Sequence, residues 1–89
     1  MNDVKHIGKV LRVLGNHRRL LILGLLKKGG TMTVGDVATA IKLSFNATSR
    51  HLLMLYGVDV LDKEQKGLEV YYKIAPNQPK LVREVLNEL

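Results

Sequence analysis

The segment Leu20-Leu21-Ile22-Leu23-Gly24-Leu25-Leu26 constrains this chain most. It is the longest uninterrupted apolar run, yet far short of the roughly 20 residues that a membrane span needs. It is bounded as a helix is. Asn16 precedes it as an N-cap, Lys27-Lys28 suit the C-terminal dipole, and Gly29-Gly30 stop it. Such an apolar helix cannot lie on a surface, so the run predicts a central helix around which the rest packs. Eighty-nine residues have room for one such core, so the chain reads as a single domain, 1–89. Enzymes that work in a deep cleft between two domains are excluded on the same ground.

The flanking periods place the other elements. Val4, Ile7, Val10, Leu11 and Leu14 recur at three and four, predicting a helix over about 3–14 with Lys5, Lys9 and Arg12 opposite. Thr31-Met32-Thr33 suffices for one bridge to a sheet. Thr33 and Asp36 have capping-box spacing before a short helix through Val37, Ala38 and Ile41. Lys42-Leu43 makes a turn, and Ser44 caps the next helix. That helix carries Thr48, Leu52 and Leu55 on an inward stripe and Asn46, Ala47 and Arg50 on another. Beyond Tyr56 the period becomes two: Val58 and Val60, then Val70, Tyr72 and Ile74, predict two strands around a polar loop at 62–67. Pro79 suits the start of a last helix, about 79–89, with Leu81, Val82, Val85, Leu86 and Leu89 apolar. The fold class is mainly α with a small β-hairpin (α+β), in the order α-α-β-α-α-β-β-α.

Cysteine is absent, which excludes disulfides, thiolate metal sites and thiol nucleophiles. Asp3, Lys5, His6 and Lys9 break up any signal-peptide core, so a cytoplasmic, membrane-free protein is expected. The net charge of +6 is unevenly spread: residues 1–50 hold nine Lys/Arg against Asp3 and Asp36, and the remainder five against six acids. A polyanion partner fits that asymmetry, and so does a basic solubilising surface. Catalytic and metal signals are weak. Ser49 and His51 are two apart on a helix and point apart. Glu84 and Glu88 are too few oxygen donors for a hard cation. Neither enzyme, cofactor nor metal site is expected.

A helix-turn-helix (about 34–56) followed by a hairpin (about 58–75) is a winged helix. Three stretches carry a more specific likeness: Leu14-Gly15-Asn16-His17-Arg18-Arg19-Leu20-Leu21-Ile22-Leu23, Ser44-Phe45-Asn46-Ala47-Thr48-Ser49-Arg50-His51-Leu52, and Gly67-Leu68-Glu69-Val70-Tyr71-Tyr72-Lys73-Ile74. In this order the chain resembles the ArsR-like family of small bacterial and archaeal repressors over nearly its whole length. The resemblance implies that the second helix of the motif enters the major groove of double-stranded DNA, bringing Phe45, Asn46, Ala47, Ser49, Arg50 and His51 near it. Asn46 and Arg50, four apart, share a free face, and Asn pairs with adenine and Arg with guanine. Arg18, Arg19, Lys42 and Ser44 are expected at phosphates, with Lys63 and Lys66 on the wing.

Alternatives stand beside several of these roles. Arg19 could be structural, His51 an interior histidine bonded to a carbonyl, Phe45 a ring packed under the turn, and Arg50 a solvated arginine. Asp62 and Glu64 alternate with the wing lysines and repel phosphate. Asp59 stands where the resemblance leads one to expect glycine, unless Gly57 ends the helix. Leu53 and Met54 point outward, toward the wing or a partner. Val4, Ile7 and Leu11 on the first helix, with Leu81, Val85 and Leu89 on the last, exceed what a core of this size needs, and a homodimer is expected there. A dimer would set two recognition helices about 34–36 Å apart, suiting an inverted repeat. The expected function is a sequence-specific DNA-binding transcriptional regulator, a homodimeric repressor whose inducer the sequence does not specify. The alternatives are a protein-binding winged-helix module, through Leu53, Met54 and the acidic wing, and a non-specific architectural DNA-binding protein.

Overall fold

Helices in this chain begin where a side chain can take up free N–H groups. In the computed structural model, which describes residues 3–89, Asp3 accepts from the Lys5 N–H and opens α1 (Val4–Leu14). Asn16 accepts from the N–H groups of Arg18 and Arg19 at the head of α2 (His17–Gly29). After β1 (Met32–Thr33), Thr33 and Asp36 close the expected capping box on α3 (Val34–Ile41). Ser44 accepts from Ala47 N–H and starts α4 (Phe45–Gly57). The chain continues through β2 (Leu61–Lys66), β3 (Glu69–Ile74) and α5 (Lys80–Asn87). Pro79 caps α5 with no side-chain bond, its φ of −62° already suited to a helix start. The element order is the expected one; residues 1 and 2 of the expected domain lie outside the described ones.

α2 is central on one side only. Ile22, Leu23 and Leu26 are buried among Val13 and Leu14 of α1, Val37 of α3, Leu52 and Leu55 of α4, Tyr72 of β3 and Val82 of α5. Leu21 on the opposite face is 54 % exposed. The apolar run therefore reaches the surface after all, because so short a chain has too few elements to cover both sides of a helix.

The hairpin differs from its expected form. The polar stretch at 62–66 is strand, not loop: β2 and β3 pair antiparallel from Leu61↔Ile74 to Lys66↔Glu69, leaving only Gly67-Leu68 as the turn. Gly67 takes φ +64°, as the first position of a II′ turn demands. Val58 caps α4, and Val60 N–H returns to the Leu55 carbonyl, so neither belongs to a strand. The period-two signal misled because every β2 residue beyond Leu61 is exposed, so that strand has no apolar face to alternate. β1 makes two pairs with β3, Met32↔Tyr72 and Thr33↔Tyr71, rather than one bridge. Of the two alternatives for the end of α4, the helix stops at Gly57, and Asp59 nonetheless adopts a left-handed φ of +62°. The carbonyls of Asp59, Val60 and Ala75 converge on the side-chain amide of buried Gln78, tying the base of the wing to the approach to α5.

Replacing Leu23 by Ala removes packing where α2 meets the other elements. A loss of about 2–5 kcal/mol in unfolding free energy is expected from urea titration, with an unchanged slope.

Candidate nucleic-acid interface

The orientation of α4 is decided by its buried stripe. Thr48, Leu52 and Leu55 face the core, and Asn46 and Arg50 are thereby turned to solvent on the opposite side. Between these two faces run two flanks. Phe45, Ser49 and Leu53, spaced by four, turn toward the wing and line an open groove with Lys63, Leu68 and Val70. On the other flank, His51 and Met54 meet Arg19 of α2.

Arg19 is structural. The residue is only 8 % exposed, and its guanidinium donates through Nε to the Val13 carbonyl at the end of α1 and approaches the Arg12 carbonyl at 3.5 Å. It also donates through one amino group to His51 Nδ1 (3.1 Å) and to Met54 Sδ (3.5 Å). The expected phosphate contact is therefore withdrawn for this residue: carbonyl dipoles at a helix end attract the cation inward. A guanidinium can only donate, so His51 Nδ1 accepts and the ring carries its proton on Nε2. His51 is half-buried, and its bond is to a side chain rather than to the carbonyl expected of an interior histidine. Its pKa is lowered first by burial, then by the positive charges of Arg19, Arg18, Arg50 and His17 gathered round it.

The remaining candidates divide by place. Arg18 is exposed in the first turn of α2. Lys42 is exposed in the left-handed turn (φ +56°) that joins α3 to α4, beside the cap Ser44. Phe45 does not pack under that turn: it is 59 % exposed. Ala47 and Ser49 are half-buried on the two flanks. Strand alternation separates the wing charges: Lys63 shares the inner face with Leu61 and Gln65, while Lys66 shares the outer face with Asp62 and Glu64. Lys63 Nζ sits 4.6 Å from the Tyr56 ring centre on α4, and Lys66 Nζ 5.3 Å from that of Tyr71. Tyr56 and Leu68 at the wing tip were missed in the sequence, since nothing local marks which residue a hairpin will fold against. Among the described residues no group of three His, Cys, Asp or Glu could hold a metal ion, and no helix is long and apolar enough to cross a membrane.

The lowered His51 pKa has a pH consequence. The unfolded chain takes up this proton near pH 6.5 and the folded one only at lower pH, so folding stability is full above about 6.5. It declines as pH falls below that value. Chemical denaturation between pH 5 and 8 should show a shallower decline in His51→Gln, whose amide oxygen still accepts from Arg19; equal slopes in both proteins would contradict the assignment.

Comparison with known proteins agrees with this geometry. Residues 16–63 match the model of the bacterial regulatory protein arsR family. The transcriptional repressor SdpR of Bacillus subtilis is 35 % identical over 68 residues, covering 76 % of this chain and 74 % of that protein. The arsenical resistance operon repressor of Escherichia coli K12 is 30 % identical over 80 residues, 90 % of this chain and 68 % of that one. The solution structure of the homodimeric winged helix-turn-helix DNA-binding domain Mb0332 from Mycobacterium bovis superposes with a TM-score of 0.79 at 28 % identity, covering 99 % of this chain and 82 % of that one. From the Asn16 cap into the wing, the chain thus belongs to the arsR family of bacterial regulatory proteins, and is a winged helix-turn-helix DNA-binding transcriptional regulator.

Proposed function

We propose that this regulator acts as a homodimeric repressor that reads an inverted repeat of double-stranded DNA in the cytoplasm. The observation that carries the proposal is the row formed by Asn46 and Arg50. Both are exposed and polar and lie opposite the buried stripe of α4, with Lys42 in the turn that precedes this helix and Lys63 in the groove along its wing-side flank. Asn46 suits the N6/N7 edge of adenine and Arg50 the O6/N7 edge of guanine. Arg18, Lys42 and Ser44 are suited to phosphates, Ser44 through its hydroxyl proton, since its oxygen already caps the helix. Ser49 and Ala47 flank the row, His51 offers its Nε2–H, and Lys63 and Lys66 are free to swing from their tyrosine rings to the backbone.

Dimerisation is supported by apolar side chains left open at both ends of the chain. Val4 is 77 % exposed, Leu11, Leu81 and Leu89 are exposed, and Ile7 and Val85 are half-covered. A second copy applied across α1 and α5 removes them from water and pairs the two recognition helices by a two-fold axis. Family membership favours DNA over the protein-binding alternative, although Leu53 and Met54 stay 44 % and 43 % exposed, with Asp62 and Glu64 turned to the outer face of the hairpin.

Selection from a random duplex pool, repeated at several salt concentrations, tests the proposal. An inverted repeat should be enriched, with log affinity falling by about 0.9 per phosphate contact against log salt. Retention without enrichment would mean architectural binding, and no retention at low salt would sink DNA reading altogether. Arg50→Ala should cost about 1–3 kcal/mol on the enriched sequence and flatten base preference at one position. Equal loss on all duplexes would assign Arg50 to phosphate instead. Leu11→Glu combined with Leu81→Glu should sediment as a folded monomer and lose the inverted-repeat advantage.

A further inference from the structure

The head of α4 carries a large apolar side chain where a polar one would be expected. Phe45 is the first residue of that helix, directly after the cap Ser44, and the only phenylalanine of the chain. It lies one step from Asn46 on the side of α4 that leaves the core. Along the same flank come Ser49 and Leu53, and across the open groove of about 480 Å³ stand Val70 and Leu68, the latter fully exposed at the wing tip. Single exposed apolar residues need no explanation, but these three large ones, Phe45, Leu53 and Leu68, border one concavity. Lys63 and Glu69 are the two charged residues of its lining, and Lys42 stands just before the helix.

A helix that enters a major groove head first meets base edges made of donors and acceptors. The apolar group displayed there is the C5-methyl of thymine, and a phenylalanine ring is one of the side chains suited to it. The adjacent Asn46 is suited to adenine. A single A·T pair presents both groups on one edge. We propose that Phe45 reads the thymine 5-methyl group, so that each half-site carries A·T pairs beneath the head of α4. This deepens the DNA-reading assignment and rests on it. It names what Phe45 recognises, which neither phosphate attraction nor the Asn46–Arg50 row supplies.

The test uses the full chain and the duplex enriched from the random pool. Each thymine is replaced in turn by uracil, which removes the methyl and keeps the base pair. One such replacement in a single half-site should weaken the wild-type protein about fourfold, the equivalent of returning one buried methyl to water, and the same replacement in both half-sites about sixteenfold. Phe45→Ala, which removes the ring from both protomers, should bind the thymine duplex about as weakly as the wild type binds the duplex replaced in both half-sites, and should lose nothing further on uracil. Arg50→Ala, though weaker overall, should retain the fourfold uracil loss. Two results overturn the inference on an enriched duplex: wild-type indifference to every uracil, or an undiminished uracil loss in Phe45→Ala. A pool that yields no enriched sequence overturns the DNA-reading assignment itself, and this inference falls with it.

Discussion

The Arg19 guanidinium is the constraint on which the working surface depends. It bridges the carbonyl end of α1 to two side chains of α4, with α2 as the lever that carries it. Its partners are carbonyl oxygens, an imidazole and a thioether, none of them an acid. A nearly buried charge held this way is satisfied by several directional bonds at once, which specifies an orientation more sharply than apolar contact does. The roll of α4 about its axis follows: with Thr48, Leu52 and Leu55 inward and His51 and Met54 against Arg19, only Asn46 and Arg50 remain to point straight out. The same residue joins the helix expected to pair with a second copy to the helix expected to read DNA.

The wing is held by a second polar device. Gln78 draws together carbonyls from both ends of the hairpin, so the strands leave the core at a set angle although almost no apolar surface holds β2. Beyond Leu61 the hairpin is held by its own ladder and by lysines laid over tyrosine rings, one of which lies on α4. Such contacts contribute little individually at exposed sites, about 0.5–1 kcal/mol each.

Much of the architecture was legible because it depends on local chemistry. The caps at Asn16, Thr33 and Ser44 and the stripe at Thr48, Leu52 and Leu55 are short-range patterns, and each stands in the structure where its spacing placed it. The hairpin was less legible. Val58 and Val60 alternate like a strand, yet serve the end of α4 and the turn after it, because burial there comes from the helical core rather than from a sheet. Asp62 through Lys66 look like a loop, yet pair with β3, because backbone hydrogen bonds need no apolar side chains.

The sequence by itself determined the element order, the helix starts, the single core and the winged helix-turn-helix class, since capping and periodicity are written within a few residues of one another. It also placed Asn46 and Arg50 on a free helical face, since side chains four apart share one. Only the tertiary structure decided what Arg19 does, because an arginine's partners can lie in another helix 32 residues away, as His51 does. It alone separated Lys63 from Asp62 and Glu64, a matter of strand register, and showed Phe45 open to solvent rather than tucked beneath its turn. Those properties arise from elements meeting in space, and no local spacing encodes which surfaces will meet.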